Sequence, residues 1–320
     1  MKILIIGTGG IGAYYGYFLQ QSGNDIVFTA RGEHLAALEE NGLTLIHEGT
    51  TYCTPVKAHT HGYLAQHFEA NEFDLIILTL KAHSTDAFVK EMGSWLTSHP
   101  TFVLSLQNGV DNENILADLL GSQYVLGGLA VRIGSHVLSP GVIQSTGKAE
   151  IIIGAWPNDA EHSSPVPSPV PSPVPSIVSQ FSDVLAQASI PNQVSTDIRR
   201  ELWRKLMINN GVNPLSAITG LDTFALTNHE RLGSLVYGMM QETVNAAKAD
   251  GVELTQQDLS EMFELIKTFK PIKTSMLMDK EHGRKMELDS IIGVVLQRSE
   301  TLGIQAPYNT MAFALLTSET

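Results

Sequence analysis

Apolar residues fall in short unbroken runs through the first half of the chain and at helical spacing through the second. Residues 3–6 are four consecutive aliphatics, Ile3-Leu4-Ile5-Ile6, the pattern of a parallel strand buried on both faces. Residues 25–29, 43–46, 73–80 and 102–106 carry similar runs. Residues 13–20, 85–95 and 177–188 read as helices. Strands alternating with helices predict a doubly wound, mostly parallel α/β sheet. Glycine-rich β-like pieces at 125–131, 141–145 and 150–153 are expected to extend it with antiparallel strands. From Asp197 the pattern is helical, with candidate helices near 198–210, 228–250, 255–268, 271–281 and 286–302. Asp250-Gly251 and Leu302-Gly303 are the stop signals. Two domains follow, 1–196 and 197–320. The natural site in such a chain is the cleft between an α/β half and a helical half.

One stretch breaks the pattern. Pro165-Val166-Pro167-Ser168 opens a four-residue repeat that runs to Ser176. Proline at alternate positions removes backbone donors and favours an extended polyproline form. Residues 163–176 are therefore expected to be a loop inserted in the first domain, with no chemistry of their own.

Composition narrows the class. The chain has 320 residues, 43% hydrophobic and 17% charged, enough for two sizeable cores. No apolar run approaches the ~18 residues of a membrane span, and with a strand beginning near residue 3 no secretory leader is expected. Cys53 is the only cysteine, so an internal disulfide is excluded and a reducing cytoplasm is expected. Thirty-three acids against 20 Lys plus Arg give a net charge of -13, which argues against a nucleic-acid partner. An anionic ligand must be held by local donors.

The first strand supplies such donors. It runs into G-x-G-x-x-G at Gly7, Gly9 and Gly12 and then into the first helix, which is the context of a dinucleotide fingerprint. Gly7 permits the turn, Gly9 admits backbone amides to a pyrophosphate, and Gly12 lets helix and strand pack closely. Gly7, Thr8, Gly9, Gly10, Ile11 and Gly12 are the candidate cradle; an ordinary strand–turn–helix corner is the plain alternative. At the end of the second strand stands Arg31 rather than an acid. A carboxylate there would accept from the ribose 2′-hydroxyl of NAD. A guanidinium suits a 2′-phosphate, so NADPH/NADP+ is expected over NADH, against the alternative of a solvated surface arginine.

Beyond the ends of later strands lie Lys81 and Asn108, where ligands of such sheets bind; a surface lysine and an Asn-Gly turn would be the bland alternatives. In the helical half, Lys205 and Asn209 are one turn apart at about 100° per residue. Asn213 could extend that face, although Gly211 and Pro214 put continued helix in question. Glu201 and Lys205 could equally form a solvated i,i+4 pair, but Trp203, Leu206, Met207 and Ile208 surround the stripe. Ser275 could cap its own helix, and Glu287 could sit in the first turn of the last long one. His59, His61 and His67 cluster without a Cys or carboxylate ligand set, so no metal site is expected.

Five separated motifs combine these positions: Gly7 to Gly12; Lys81-Ala82; Gln107-Asn108-Gly109; Trp203-Arg204-Lys205-Leu206 with Asn209 and Asn213-Pro214; and Ser275-Met276-Leu277 with Glu287-Leu288-Asp289. In this order they resemble the ketopantoate reductase family, the NADPH-dependent 2-dehydropantoate 2-reductases, over nearly the full length. The resemblance implies a Rossmann-type domain followed by an all-helical domain like the C-terminal domain of 6-phosphogluconate dehydrogenase. It implies an oxidoreductase acting on CH–OH that reduces a 2-oxo acid to pantoate for pantothenate and coenzyme A synthesis. Lys205 would be the general acid, with Glu287 orienting substrate or cofactor beside it. Asn209, Asn213, Ser275 and Asn108 would hold the substrate, and Lys81, Asn108 and Glu287 would line the cofactor side. The family often carries a further substrate-binding asparagine about ten residues after the Asn-Pro pair, and here Thr223 falls near that place.

The residue types suit that chemistry. A lysine in a partly desolvated cleft holds its proton less firmly and still attracts a carboxylate, while Asn209 and Ser275 add neutral donors without a second buried charge. Two rivals stay open. One is another NADP-dependent 2-oxoacid or 3-hydroxyacid oxidoreductase of this architecture, since β-hydroxyacid dehydrogenases share the lysine and asparagine four apart. The other is a non-catalytic NADPH-sensing protein, which would need none of Lys205, Ser275 and Glu287. A homodimer is compatible with either, and no membrane partner is expected.

Overall fold

The aliphatic run at residues 3–6 becomes the strand from which the sheet order reverses. The computed structural model describes residues 1–157 and 174–318, which form two compact units. One comprises Met1–Gln107 and Asn112–Ile198, the other Asn108–Asp111 and Arg199–Thr320.

In the first, the sheet unit, β1 (Lys2–Ile6), α1 (Gly10–Gln21), β2 (Asp25–Thr29) and α2 (Gly32–Asn41) come first. Then come β3 (Leu43–His47), β4 (Thr50–Thr54), β5 (Lys57–His59), α3 (His61–His67), β6 (Leu75–Leu78), α4 (Thr85–Ser98) and β7 (Val103–Ser105). After α5 (Asn112–Leu120) follow β8 (Val125–Val131), β9 (Gly134–Ser139), β10 (Val142–Thr146) and β11 (Glu150–Ala155). The unit closes with α6 (Val174–Gln187) and β12 (Asn192–Val194).

Eight strands make the main sheet in the order β12-β11-β8-β7-β6-β1-β2-β5. Only β8 and β11 pair antiparallel; the other neighbours are parallel. The order reverses beside β1, with β2 on one side and β6 on the other. In open α/β sheets that switch point is where ligands bind, at the carboxyl ends of the strands. This is the Rossmann-type sheet that the alternating runs predict.

The expectation that every strand would join it is corrected. Residues 43–46 and 141–145 fall in β3 and β10, which leave the main sheet and form a second one, β4-β3-β10-β9. Its partners come from two hairpins far apart in the chain, β3 pairing parallel with β10. This sheet covers α1 from the side away from β1. Tyr14 meets His47 at 5.1 Å between ring centres, and Tyr17 meets Tyr52 at 5.4 Å. α1 is therefore buried on both sides, which explains its run of Tyr14, Tyr15, Tyr17 and Leu19 in place of a polar face. The polyproline expectation for residues 163–176 lies outside the described residues as far as 173. The last residues of that stretch already belong to α6, which begins at Val174 rather than 177.

In the second, the helical unit, one helix is longer than expected. α7 spans Ile198–Thr219, with Pro214 inside it. It is followed by α8 (Thr223–Thr227), α9 (Glu230–Ala246), α10 (Gln256–Lys267), α11 (Ser275–Glu281), α12 (Val294–Thr301) and α13 (Pro307–Thr317). A π-helical turn at Asp289–Gly293 leads into α12. α8 and α13 have no counterpart among the expected helices. α13 has no cap of its own; Glu242 of α9 accepts from the Tyr308 and Asn309 amides at 2.9 Å each. No helix among the described residues is long and apolar enough to cross a membrane.

Packing of α1 gives a direct stability test. A Cβ at Gly16 would collide with the ring of Phe28, which is fully buried in the core. Gly16→Ala should cost about 1–3 kcal/mol as an overpacked core site, lowering the melting temperature by roughly 2–4 °C per kcal/mol. Thermal unfolding followed by circular dichroism checks this, and an unchanged midpoint would contradict the close approach of α1 to β2.

Candidate functional site

The glycine turn is fixed by threonines and one histidine. The Gly7 amide donates to Thr29 Oγ1 at 2.8 Å, and the Thr8 amide and hydroxyl donate to the Thr29 carbonyl at 3.0 and 2.8 Å. Thr79 Oγ1 donates to the Gly7 carbonyl at 2.6 Å, tying the turn after β1 to the end of β6. His34 grips the same turn from α2. The Gly141 amide donates to His34 Nδ1 at 3.0 Å, so Nε2 carries the proton and donates to the Thr8 carbonyl at 2.8 Å. Nothing in the sequence pattern marks His34 for this role.

Held this way, the turn leaves an open cradle. Gly7 has φ +98, a backbone that favours glycine, while a Cβ on Gly9 would meet nothing within 4 Å. Gly9 is the N-cap of α1 and makes no side-chain cap, so the first-turn amides of Gly10, Ile11 and Gly12 remain donors without a side-chain acceptor. Gly10 is glycine for another reason: a Cβ there would strike the backbone of Ser135 in β9. The partial positive charge of the helix end and the open space at Gly9 together suit a pyrophosphate. Arg31 stands just past β2 with its side chain exposed. Lys81 follows β6, also exposed, and its loop is set by Gln107. Gln107 Nε2 donates to the Leu80 carbonyl at 3.0 Å and to Thr85 Oγ1 at 2.9 Å. Gln107 belongs to a quoted motif, but only the fold reveals its task.

In the helical unit two candidates meet directly. Asn108 Nδ2 donates to Glu287 Oε2 at 3.1 Å, across 179 residues of chain. Glu287 is buried and stands just ahead of Leu288, where the helical stretch leading into α12 begins. It therefore precedes the first turn in which it was expected.

Lys205, Asn209 and Asn213 share one side of α7, which continues past the expected end at 210. Lys205 and Asn209 are half-buried and Asn213 is buried. Trp203, Leu206 and Met207 are almost wholly buried, Ile208 only half. Asn210, between the candidates, turns away from them: its Nδ2 donates to Thr243 Oγ1 at 2.8 Å and Asn309 Oδ1 at 2.7 Å. Glu201 lies 4.0 Å from Arg204.

The neighbour of Lys205 anchors the helix. Arg204 and Arg200 donate to Asp258 Oδ1 at 2.9 and 2.6 Å. The Thr255 amide and hydroxyl donate to Oδ2 at 2.8 and 2.9 Å. Burial alone would push the Asp258 carboxyl up, but these hydrogen bonds and the two guanidiniums outweigh it and hold the group below the usual carboxylate range.

The remaining candidates are placed differently. Ser275 is exposed as the first residue of α11, and Thr274 rather than Ser275 caps that helix, accepting from Leu277 N at 3.2 Å. Thr223 is buried and hydrogen-bonds to the Ile272 carbonyl through its amide at 3.1 Å and its hydroxyl at 3.3 Å. It ties down the chain ahead of α11. Of the histidines, His59 and His67 stack on Tyr63 at 4.3 and 3.9 Å, and His61 meets Glu91 at 3.1 Å.

A glycine turn at the switch point of this sheet makes the first unit a Rossmann-type domain, and a helical unit follows it. The model of the ketopantoate reductase family PanE/ApbA matches residues 3–158, and that of its C-terminal region matches 197–319. A 2-dehydropantoate 2-reductase of Mesorhizobium japonicum is 30% identical over 99% of this chain and 97% of its own. The crystal structure of 2-dehydropantoate 2-reductase from Geobacter metallireducens superposes with a TM-score of 0.83 at 27% identity, covering 100% of both chains. A D-mandelate dehydrogenase solved with NADH and anilino(oxo)acetate shares the fold, with a TM-score of 0.85 at 22% identity over 99% and 97% of the two chains. The chain belongs to the ketopantoate reductase family, oxidoreductases acting on a CH–OH group.

The anchor of α7 should be visible in acid. Because Asp258 is depressed in the fold, its stabilisation is complete above the unfolded carboxyl value of about 3.9 and is lost as pH falls through the lower folded value. Asp258→Asn should cost about 1.5–3 kcal/mol at neutral pH, and the difference from wild type should shrink below about pH 4. Urea unfolding across that range measures it; a difference independent of pH would contradict the assignment.

Proposed function

We propose that the protein is an NADPH-dependent 2-dehydropantoate 2-reductase in which Lys205 is the proton donor. The observation that carries this is the Asn108–Glu287 hydrogen bond of 3.1 Å, made in the same unit that carries the Lys205, Asn209 and Asn213 face. Two candidates read from distant motifs meet where neither local pattern requires it. Family membership supplies the reaction class.

NADPH would supply the hydride to the 2-oxo carbon. The glycine turn would hold its pyrophosphate through the α1 amides, and Arg31 would pair with the 2′-phosphate. Lys205 would donate a proton to the oxygen formed at the reduced carbon, and its charge would draw in the substrate carboxylate. Asn209 and Asn213 offer amide donors and acceptors on the same side, Ser275 a hydroxyl, and Glu287 would be steadied by Asn108. The product, pantoate, would serve pantothenate and coenzyme A synthesis. Cys53 as the only cysteine suits a reducing cytoplasm.

One observation favours a second reading. Thr223, near the place of a substrate-binding asparagine in the family, gives its hydroxyl proton to the Ile272 carbonyl, so a substrate pocket would differ there. A different 2-oxo acid is then the competing substrate. The D-mandelate dehydrogenase of this fold, solved with NADH and anilino(oxo)acetate, illustrates such an alternative.

Steady-state oxidation of NADPH and of NADH with 2-dehydropantoate, close 2-oxo acids and 3-oxo acids tests the proposal. We expect kcat/KM to favour 2-dehydropantoate by roughly 10-fold or more, the discrimination that a pocket of fixed shape provides. The NADPH rate should exceed the NADH rate. A preference for NADH would remove Arg31 from its role, a better 2-oxo acid would favour the second reading, and NADPH binding without turnover of any oxo acid would indicate a sensor.

A further inference from the structure

The segment Asn108–Asp111 belongs to the helical unit although the residues on either side of it belong to the sheet unit. Its first and last side chains are both held there. Asn108 Nδ2 reaches Glu287, as described. Asp111 Oδ1 accepts from Arg298 Nη2. The same guanidinium donates from Nε to Asp250 Oδ1 at 2.9 Å, and the Asp250 carbonyl accepts from Arg199 Nη2. Between the two held residues, Gly109 takes φ +94, a conformation that only glycine adopts without strain. The path of this short segment is thus set by a left-handed glycine and a contact at each end.

The Arg298 side chain is only 16% exposed. A buried guanidinium is tolerated when carboxylates repay its desolvation, and removing one partner leaves an uncompensated charge. Burial alone would lower its proton affinity, but Asp250 and Asp111 more than offset this, so it is a permanent cation. It uses separate nitrogens on separate carboxylates. Lysine, a compact point charge, cannot reproduce that fork. Arg298 lies in the last turn of α12, where a cation also suits the carbonyl end of a helix. A helix-end role would explain a basic residue, but it would not require Asp111 as a partner.

We propose that Arg298 and Asp111 are positioning residues: their ion pair, braced by Asp250, seats the 108–111 segment so that Asn108 meets Glu287. The proposal rests on the proposed function only in taking the Asn108–Glu287 pair to matter for turnover. Neither Arg298 nor Asp111 is assigned any contact with substrate or cofactor.

Two arms test it. In the first, amide hydrogen exchange at Gly109 and Val110 is compared among wild type, Arg298→Lys, Asp111→Asn and the control Lys267→Gln. The control breaks a pair with Glu264 elsewhere in the same unit. Exchange should quicken on the order of tenfold in the first two variants, as a local opening made easier by one lost charge-assisted hydrogen bond, and stay unchanged in the control. In the second arm, Asp111→Asn is placed in wild type and in Asn108→Ala. It should lower kcat/KM with NADPH about tenfold in wild type, and by less than about twofold once Asn108 is gone, because coupled residues are not additive. A purely structural role would move melting temperature and leave the two backgrounds equal. Unchanged exchange at Gly109 and Val110, or equal losses in both backgrounds, overturns the proposal. Should Arg298→Lys fail to fold, Asp111→Asn alone carries both arms. Should wild type turn over no oxo acid, the exchange arm still decides the positioning role, so failure of the functional assignment and failure of this one are told apart.

Discussion

The candidate site in the helical unit depends on one close approach between helices. At Gly211 a Cβ would stand 2.6 Å from Met240 Cγ of α9, so only glycine allows the two helices their contact. Three residues later Pro214 removes a backbone donor from the same helix. A glycine and a proline in a helix interior together cost about 4 kcal/mol against alanine. Leu202, Trp203, Leu206, Met207, Val212 and Leu215 are all almost wholly buried along this helix, and each is worth roughly 1.5–3 kcal/mol on burial. Packing therefore wins over local preference by a wide margin. α7 runs on to Thr219, and Asn213 stays on the side of Lys205 and Asn209.

That contest sets what the sequence could reveal. The glycine turn and the parallel sheet were legible because their signals are local: an unbroken aliphatic run, a glycine spacing, a helix. The second sheet was not. Leu43 and Leu45 alternate as any half-buried strand does, and nothing in them names β10, almost a hundred residues on, as their partner. Local rules stop a helix at Gly-x-x-Pro, whereas α7 runs through Gly211 and Pro214. α13 lacks a local capping side chain, because its cap, Glu242, comes from another helix. The residue types of the candidate site were legible, but their support was not. Gln107, His34 and Arg298, and Asp258 toward its two arginines, act through partners 22 to 187 residues away, a separation no short motif encodes.

Charge is handled locally throughout. The chain carries -13 overall, which by itself would repel an anionic ligand. In the helical unit Arg200 and Arg204 are spent on Asp258, and Arg298 on Asp250 and Asp111. Those guanidiniums tie separate helices and loops of the unit to one another. In the sheet unit the groups suited to an anion are a helix end whose amides lack a side-chain cap and the exposed Arg31 beyond β2. Structural cations and candidate ligand-binding cations are thus distinct sets of residues, which is how an acidic chain can serve anionic reactants.

In the proposed reaction the half-buried Lys205 gives up the proton that completes reduction. Turnover of 2-dehydropantoate with NADPH by Lys205→Ala tests it most directly, with the melting temperature measured alongside to establish folding. We expect kcat to fall roughly 10²–10⁴-fold, the scale for losing a general acid, while the fold persists. Near-normal turnover by a folded Lys205→Ala protein would contradict the account.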